Sequence, residues 1–310
     1  MAGKFVITGF ADEISGNLSE QIEGLTKLGI HYVEMRGADG NNLIYHTDEK
    51  VKDIKNRLDE AGISLSAMGS PLGKIGIDEP FEKHFEDFKR AIEIAHKMET
   101  RYIRMFSFYM PKVSEETGIE DAPESQTNDH LGNGPDPQRA PYKEKVFDRI
   151  GKFVDYASRN DIILLHENEK EIYGERAFEC KELLDTFGGD HFKGIFDFAN
   201  FVQARQDTLD AYEMLKDYIV YVHVKDALWE DGSVVPAGYG DGNVAAILGS
   251  LHERGYEGFL SLEPHLFDFT GFAGLERDKT SIGKKQGRAL SGFEAFSLAH
   301  ESLQKILTDL

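Results

Sequence analysis

What the sequence has little of narrows it first. It holds a single cysteine, Cys180, in 310 residues. No intramolecular disulfide can form, which suits a reducing compartment. A lone cysteine can be a nucleophile, but Cys180 lies in a run, Phe178 to Leu184, patterned as an amphipathic helix, so a packing role is expected. Basic residues are also short: 35 Lys and Arg stand against 55 Asp and Glu, a formal net charge of −20. A surface this acidic repels phosphate backbones and anionic lipid, which argues against nucleic acid or a membrane as the main partner. No stretch approaches the ~18 consecutive apolar residues of a membrane span. Met1 to Phe10 lacks the long apolar segment of a signal peptide. A cytoplasmic protein is therefore expected, with a homo-oligomer left open. No G-x-G-x-x-G follows the first apolar run, which weakens a dinucleotide-binding alternative.

What is present is a rhythm. Short apolar runs read as strands at Phe5 to Gly9, Tyr32 to Arg36, Ile63 to Met68, Tyr102 to Phe106, Ile162 to His166, Gly194 to Asp197, Ile219 to Lys225 and Gly258 to Glu263. Between them apolar residues recur at helical spacing, as in Leu18, Ile22, Leu25 and Leu28, or Phe81, Phe85, Phe88, Ile92 and Ala95. Phe293, Phe296, Leu303 and Ile306 close the series. Eight strands alternating with eight helices predict parallel βαβ units and a single (β/α)8 TIM barrel domain over 1–310. Two stretches break the rhythm, 110–141 after the fourth strand and 267–287 after the eighth. Both are expected on the catalytic face, and 110–141 reads as an insertion that is either a substrate-facing lid or disordered.

Side chains in a barrel strand alternate between the interior and the helix layer. In strand seven, Val220, Val222 and Val224 share one face and should pack on helices, so Tyr221, His223 and Lys225 should point inward. In strand eight Leu260 and Leu262 face outward, leaving Glu263 inward. Phe196 and Phe198 do the same for Asp197, and Glu167 ends strand five. Four successive strands thus deliver Glu167, Asp197, His223 and Glu263 to one rim. Three carboxylates converging on a point raise one another's pKa, and a divalent cation removes the conflict. Three oxygen donors with one imidazole suit Mn²⁺, Mg²⁺ or Co²⁺, with Zn²⁺ as an alternative. Glu169 shares the parity of Glu167 and competes for its place. Glu34 and Arg36 on strand two point into the barrel top, either pairing with each other or touching substrate hydroxyls. Lys225 either binds an anionic or carbonyl group or pairs with Glu263 or Asp226. His265, His46 and His84 read as ordinary surface or loop histidines, although His265 also stands beside the rim. Gly238-Tyr239-Gly240-Asp241-Gly242 is a glycine-rich loop that could approach a phosphate.

At these residues the chain resembles the xylose isomerase-like barrels, in particular the sugar phosphate isomerase/epimerase group that includes D-tagatose 3-epimerase and inosose dehydratase. The matching segments are HENEKEIYG from His166, FDFANFVQ from Phe196, YVHVKDAL from Tyr221, VVPAGYGDG from Val234 and LSLEPHL from Leu260. The resemblance implies one divalent metal, often Mn²⁺, held at the positions of Glu167, Asp197, His223 and Glu263. It departs at two sugar-contacting positions. Asn200 stands where the epimerases carry a His, and Ala227, Leu228 and Trp229 stand where they carry an Arg.

These readings converge on an isomerase or epimerase of a sugar or sugar derivative. Glu167 and Glu263 would act as base and acid around an enediolate, with Glu34, Arg36, Asn200, Lys225 and His265 as substrate contacts. The competitors are a dehydratase using the same enolate, a nuclease of the endonuclease IV type, which the charge opposes, and a sugar-binding protein without catalysis.

Overall fold

The computed structural model describes residues 3–111, 133–266 and 290–310. Eight strands form one sheet: β1 (Lys4–Gly9), β2 (Tyr32–Met35), β3 (Ser64–Leu72), β4 (Tyr102–Met105), β5 (Ile163–Glu167), β6 (Phe192–Asp197), β7 (Ile219–Val224) and β8 (Glu257–Leu262). Each is parallel to its neighbours, in the order β1-β8-β7-β6-β5-β4-β3-β2. This is the nearly closed barrel that the alternation predicts.

Nine α-helices surround it among the described residues: α1 (Leu18–Lys27), α2 (Asp48–Glu60), α3 (Glu82–Lys97), α4 (Lys143–Arg159), α5 (Ala177–Phe187), α6 (Phe198–Gln203), α7 (Thr208–Leu215), α8 (Val244–Glu253) and α9 (Gly292–Thr308). Their ends follow local chemistry. Asn17 caps α1 through the Ser19 and Glu20 amides, and Ser291 with Glu294 forms a capping box on α9. The sequence rhythm shows eight helices. The ninth, α6, is a short turn directly after β6, too brief to register as a period.

Two apolar layers follow from strand alternation. Outward residues such as Leu164, Phe196, Val222, Val224, Leu260 and Leu262 join the large core between sheet and helices. Burying each stabilises the fold by roughly 1.5–3 kcal/mol. Ala67, Leu165, Ile195 and Tyr221 form a separate cluster, of which the last three share the inward parity of the rim residues. Val220, expected on the helix side, is half-buried beside this second cluster. This floor is packed and largely apolar, its Tyr221 hydroxyl meeting Ser66 at 2.9 Å, beneath the acidic rim. Cys180 is buried on α5, its Sγ donating to the Gly174 carbonyl at 3.1 Å, and burial pushes the thiol well up. It packs, as expected.

Most of the stretch expected as an insertion lies outside the described residues, as does 267–287. Its final turn is described and docked: the Asp136 amide donates to Glu179 at 2.7 Å, and the buried Arg139 binds Asp136, Glu175 and the Ile172 carbonyl.

Candidate metal centre

The four rim residues are set by the ends of adjacent strands. Glu167 is the last residue of β5, Asp197 the last of β6, His223 the fifth of the six residues of β7, and Glu263 follows β8 directly. Asn168 ties two of these ends together. Its side chain accepts from the Asp197 amide at 3.0 Å and donates to the Asp197 carbonyl at 3.1 Å. Asp197 also caps α6, its Oδ1 accepting from the Asn200 amide at 2.7 Å. That leaves Oδ2 for the site, where it is buried without a hydrogen-bond donor.

One ligand atom from each of Glu167, Asp197, His223 and Glu263 lies within 4.8 Å of the others, and all four residues are buried. His223 Nδ1 is 2.9 Å from Glu167 Oε1 and 3.6 Å from Glu263 Oε2. Lys225 Nζ stands 3.3 Å from Glu263 Oε2 and 3.4 Å from Asp197 Oδ2. Burial pushes the Asp197 carboxyl up to about 7, against the pull of Lys225 and with the help of Glu167 and Glu263. Burial also works against Glu263, but Lys225, His265 and His223 hold that carboxyl well below its ordinary range. The imidazole of His223 is raised well above its ordinary value because Glu167 and Glu34 outweigh the cost of burying its charge. The cluster thus asks for positive charge. Three carboxylates and one imidazole nitrogen, with a buried oxygen short of a donor, fit a divalent cation.

The structure separates the alternatives that the sequence left open. Glu167, not Glu169, has its carboxylate in the cluster. Glu169 pairs with Lys74 at 2.9 Å, and although burial opposes it, Lys74, Lys170 and Lys225 hold the carboxyl at about 2. Lys225 pairs with Glu263 and Asp197 rather than Asp226. Arg36 does not pair with Glu34: it grips Asp12 at 2.9 Å, Glu13 at 3.0 Å and Glu263 at 3.0 Å. Glu34 is fully buried, in contact with His223 and Ser261. Asn200 Nδ2 binds the Asn168 carbonyl at 2.8 Å and lies 3.5 Å from Glu167 Oε1.

Two expectations are corrected. His46, His84 and His265 are not surface residues; each is buried. His46 Nε2 meets the Ala38 carbonyl at 2.8 Å, His84 Nε2 accepts from the Gly73 amide at 2.7 Å, and His265 Nε2 is 3.3 Å from Glu263. Burial lowers His265 to about 3, which leaves it neutral. His46 and His265 lie in loops, which carry no period, so their burial was invisible in the sequence; His84 lies on α3 one turn before Phe88, on the buried face of that helix. The glycine-rich loop, second, does not offer its amides to a phosphate. Gly238, Gly240 and Gly242 donate to the Asp226 carboxylate at 2.9, 3.0 and 2.9 Å, and the Ala227 amide adds a fourth bond at 2.9 Å.

Sequence reasoning also missed three residues at the mouth. Arg104 on β4 donates to Glu167 Oε2 at 3.1 Å and stacks 4.8 Å from the Phe10 ring; Arg36 stacks on the same ring at 4.0 Å. Its signal was available, since Tyr102-Ile103-Arg104-Met105 puts a cation on the inward parity of an apolar strand. Glu13, in the turn after β1, and Lys74, after β3, carry no such pattern.

The fold and the rim together define a parallel (β/α)8 barrel with four buried ligand groups at the C-terminal ends of its last four strands. The chain belongs to the xylose isomerase-like TIM barrel family, whose model matches residues 22–279. No curated protein matches it significantly in sequence. Among solved structures it is similar to an IOLI protein with a binding zinc atom (16% identity, TM-score 0.68, covering 98% of each chain). It is also similar to 3-keto-D-glucoside 4-epimerase YcjR from E. coli (14% identity, TM-score 0.65, 99% of each chain). A third is the probable 3-DHS dehydratase AsbF of Bacillus anthracis (15% identity, TM-score 0.66, 96% of this chain and 98% of that one). At these identities the likeness is one of fold.

Proposed function

We propose that the protein is a divalent-metal-dependent isomerase or epimerase acting on a sugar or sugar derivative. The observation that carries this reading is the meeting of Glu167, Asp197, His223 and Glu263 within 4.8 Å. A bound divalent cation at this set supplies Lewis-acid stabilisation of negative charge on a carbonyl oxygen. That one neighbouring structure holds zinc supports a metal here without naming which one.

The chain's own residues supply the proton chemistry. Glu167 and Glu263 come from strands separated by β6 and β7, so they approach a bound substrate from different sides. Glu167 takes the proton from the carbon beside the carbonyl and passes it to solvent, and Glu263, once it has taken a proton from solvent, delivers it to the opposite face. Each glutamate divides its oxygens. Oε1 of Glu167 and Oε2 of Glu263 face His223, while the other oxygen of each is bonded to a guanidinium, Arg104 and Arg36 respectively. The guanidinium contacts fix each carboxylate's orientation. Lys225, Asn200 and His265 lie around the same mouth and are assigned to substrate contact.

Incubating metal-analysed protein in D₂O with a panel of ketoses, inososes and their phosphates tests the proposal. Deuterium entering one carbon, with interconversion of epimers or of aldose and ketose, is the expected result. Loss of water with one substrate would move the assignment to a dehydratase. No exchange with any panel member by the metal-loaded protein would overturn it.

A further inference from the structure

The reading of the rim as a metal centre leaves one buried carboxylate without a task. Glu34 has no exposed surface, yet it is an acid in the middle of a barrel. Its position follows from alternation with Val33 and Met35, which join the outer core; opposite it β3 carries one extra residue, Ser66, and the register shifts there. Across the barrel, Ser261 and His223 are register partners on β8 and β7, which sets them side by side facing Glu34. Glu34 Oε2 accepts from Ser261 Oγ at 2.6 Å and lies 3.1 Å from His223 Nε2, while Oε1 has no hydrogen-bond partner.

His223 therefore stands between two carboxylates, Glu34 at Nε2 and Glu167 at Nδ1. Once a cation takes one ring nitrogen the imidazole keeps a single N–H, so only one side can then be served. The donors nearby decide which. Glu167 already receives Arg104 on Oε2 and has the Asn200 amide 3.5 Å from Oε1. Glu34 receives the Ser261 hydroxyl, with the Tyr221 hydroxyl and the Arg104 charge also acting on it, and it is the carboxylate that Nε2 faces, whereas Nδ1 faces Glu167 and Glu263 of the ligand set. Phe10 and Tyr221 pack edge-on against the ring with centroids 5.2 and 5.8 Å away.

Resting on that metal reading, we infer that Glu34 is the positioning residue of the centre: it holds the Nε2 proton of His223 and so presents a bare Nδ1 to the cation. With the proton at Nε2, Nδ1, Glu167 Oε1, Glu263 Oε2 and Asp197 Oδ2 are all acceptors, and a cation satisfies them together. With the proton at Nδ1, the ring would spend it on Glu167 and close one coordination position. A carboxylate beneath a metal-binding histidine raises the basicity of the ring and fixes its orientation. Glu34 touches neither a substrate nor the reacting atoms in this role.

The test needs no turnover. Histidine ¹⁵N–¹H correlation spectra of the zinc-loaded protein, with the His223 signals assigned by their absence in H223Q, are expected to show a protonated Nε2 and a zinc-bearing Nδ1. Zinc affinity, measured by competition with a chromophoric chelator, is expected to fall about 10- to 100-fold in E34Q. A merely structural Glu34 would change the unfolding midpoint and leave both readouts alone. Zinc on Nε2 in the unsubstituted protein, or E34Q binding zinc within twofold of it, would overturn the inference. If E34Q does not fold, the spectrum of the unsubstituted protein decides by itself. Stoichiometric zinc that D197N loses and E34Q keeps would remove this inference alone. A protein that takes up no zinc would remove the metal reading and this inference with it.

Discussion

Asp197 and Asp226 make an instructive pair. Both are fully buried aspartates near strand ends on the same face of the barrel, and burial raises both carboxyls. Their surroundings are opposite. Four backbone amides point at Asp226, from Ala227, Gly238, Gly240 and Gly242. Asp197 uses one oxygen as a helix cap and keeps the other among carboxylates, with the Lys225 ammonium 3.4 Å away. The first carboxylate is a finished structural device: it takes the place an external anion would occupy in the glycine-rich loop. The second is unfinished, and its deficit of donors is what a cation supplies. The teaching is that a buried acid marks a site only when its hydrogen-bond account does not close.

Substitution should break this contrast most strongly at Asp226. D226A leaves four amides without an acceptor, and a loss of about 3–5 kcal/mol is expected in urea unfolding. A loss below about 1 kcal/mol would mean that the loop has another anchor. Metal should act only at the other aspartate. Zn²⁺ or Mn²⁺ at a hundredfold excess over its dissociation constant is expected to stabilise the protein by about 2.7 kcal/mol. A chelator reverses the shift, and D197N abolishes it. The same stabilisation in D197N would place the ion elsewhere.

A finer cut comes from Gly240. A methyl group there would meet Asp226 Oδ1 and the Ala227 carbonyl oxygen at 2.5 Å. G240A is expected to cost about 1–3 kcal/mol through forced backbone movement while leaving metal affinity unchanged. A matching loss of metal affinity would show that the loop and the centre are one unit.

The smallest effect concerns pH in the metal-free protein. Asp197 rises from 3.8 to about 7 on folding. Between those values the folded state binds more protons than the unfolded one, so this group makes stability fall as pH rises through that window. D197N removes the dependence, and the metal-free variant should be more stable than its parent above pH 7. Equal thermal midpoints for the two metal-free proteins at pH 8 would show that Asp197 is not strained by its neighbours.

Particular residues show how far the sequence could be read. The strand-end positions of Glu167, Asp197, His223 and Glu263 followed from neighbours: valines, leucines and phenylalanines at alternate positions declare which way the next side chain points. Arg104 obeyed the same rule and could have been found by it. Asp226 could not. Its partners lie 12 to 16 residues downstream at Gly238, Gly240 and Gly242, in a loop whose glycines suit an internal carboxylate as well as a ligand.

The sequence by itself determined the barrel, its parallel order and the strand ends that carry acid and imidazole. Period-two alternation is a property of the local backbone and survives in any fold that uses these strands. Tertiary structure alone decided who faces whom. Glu34 meets His223 across 189 positions of chain, and Arg36 meets Glu263 across 227. Those pairs exist because the ring of strands closes and brings β2 opposite β7 and β8. No local pattern encodes the direction of a charge's partner across a closed barrel, because that depends on the geometry of every strand between them.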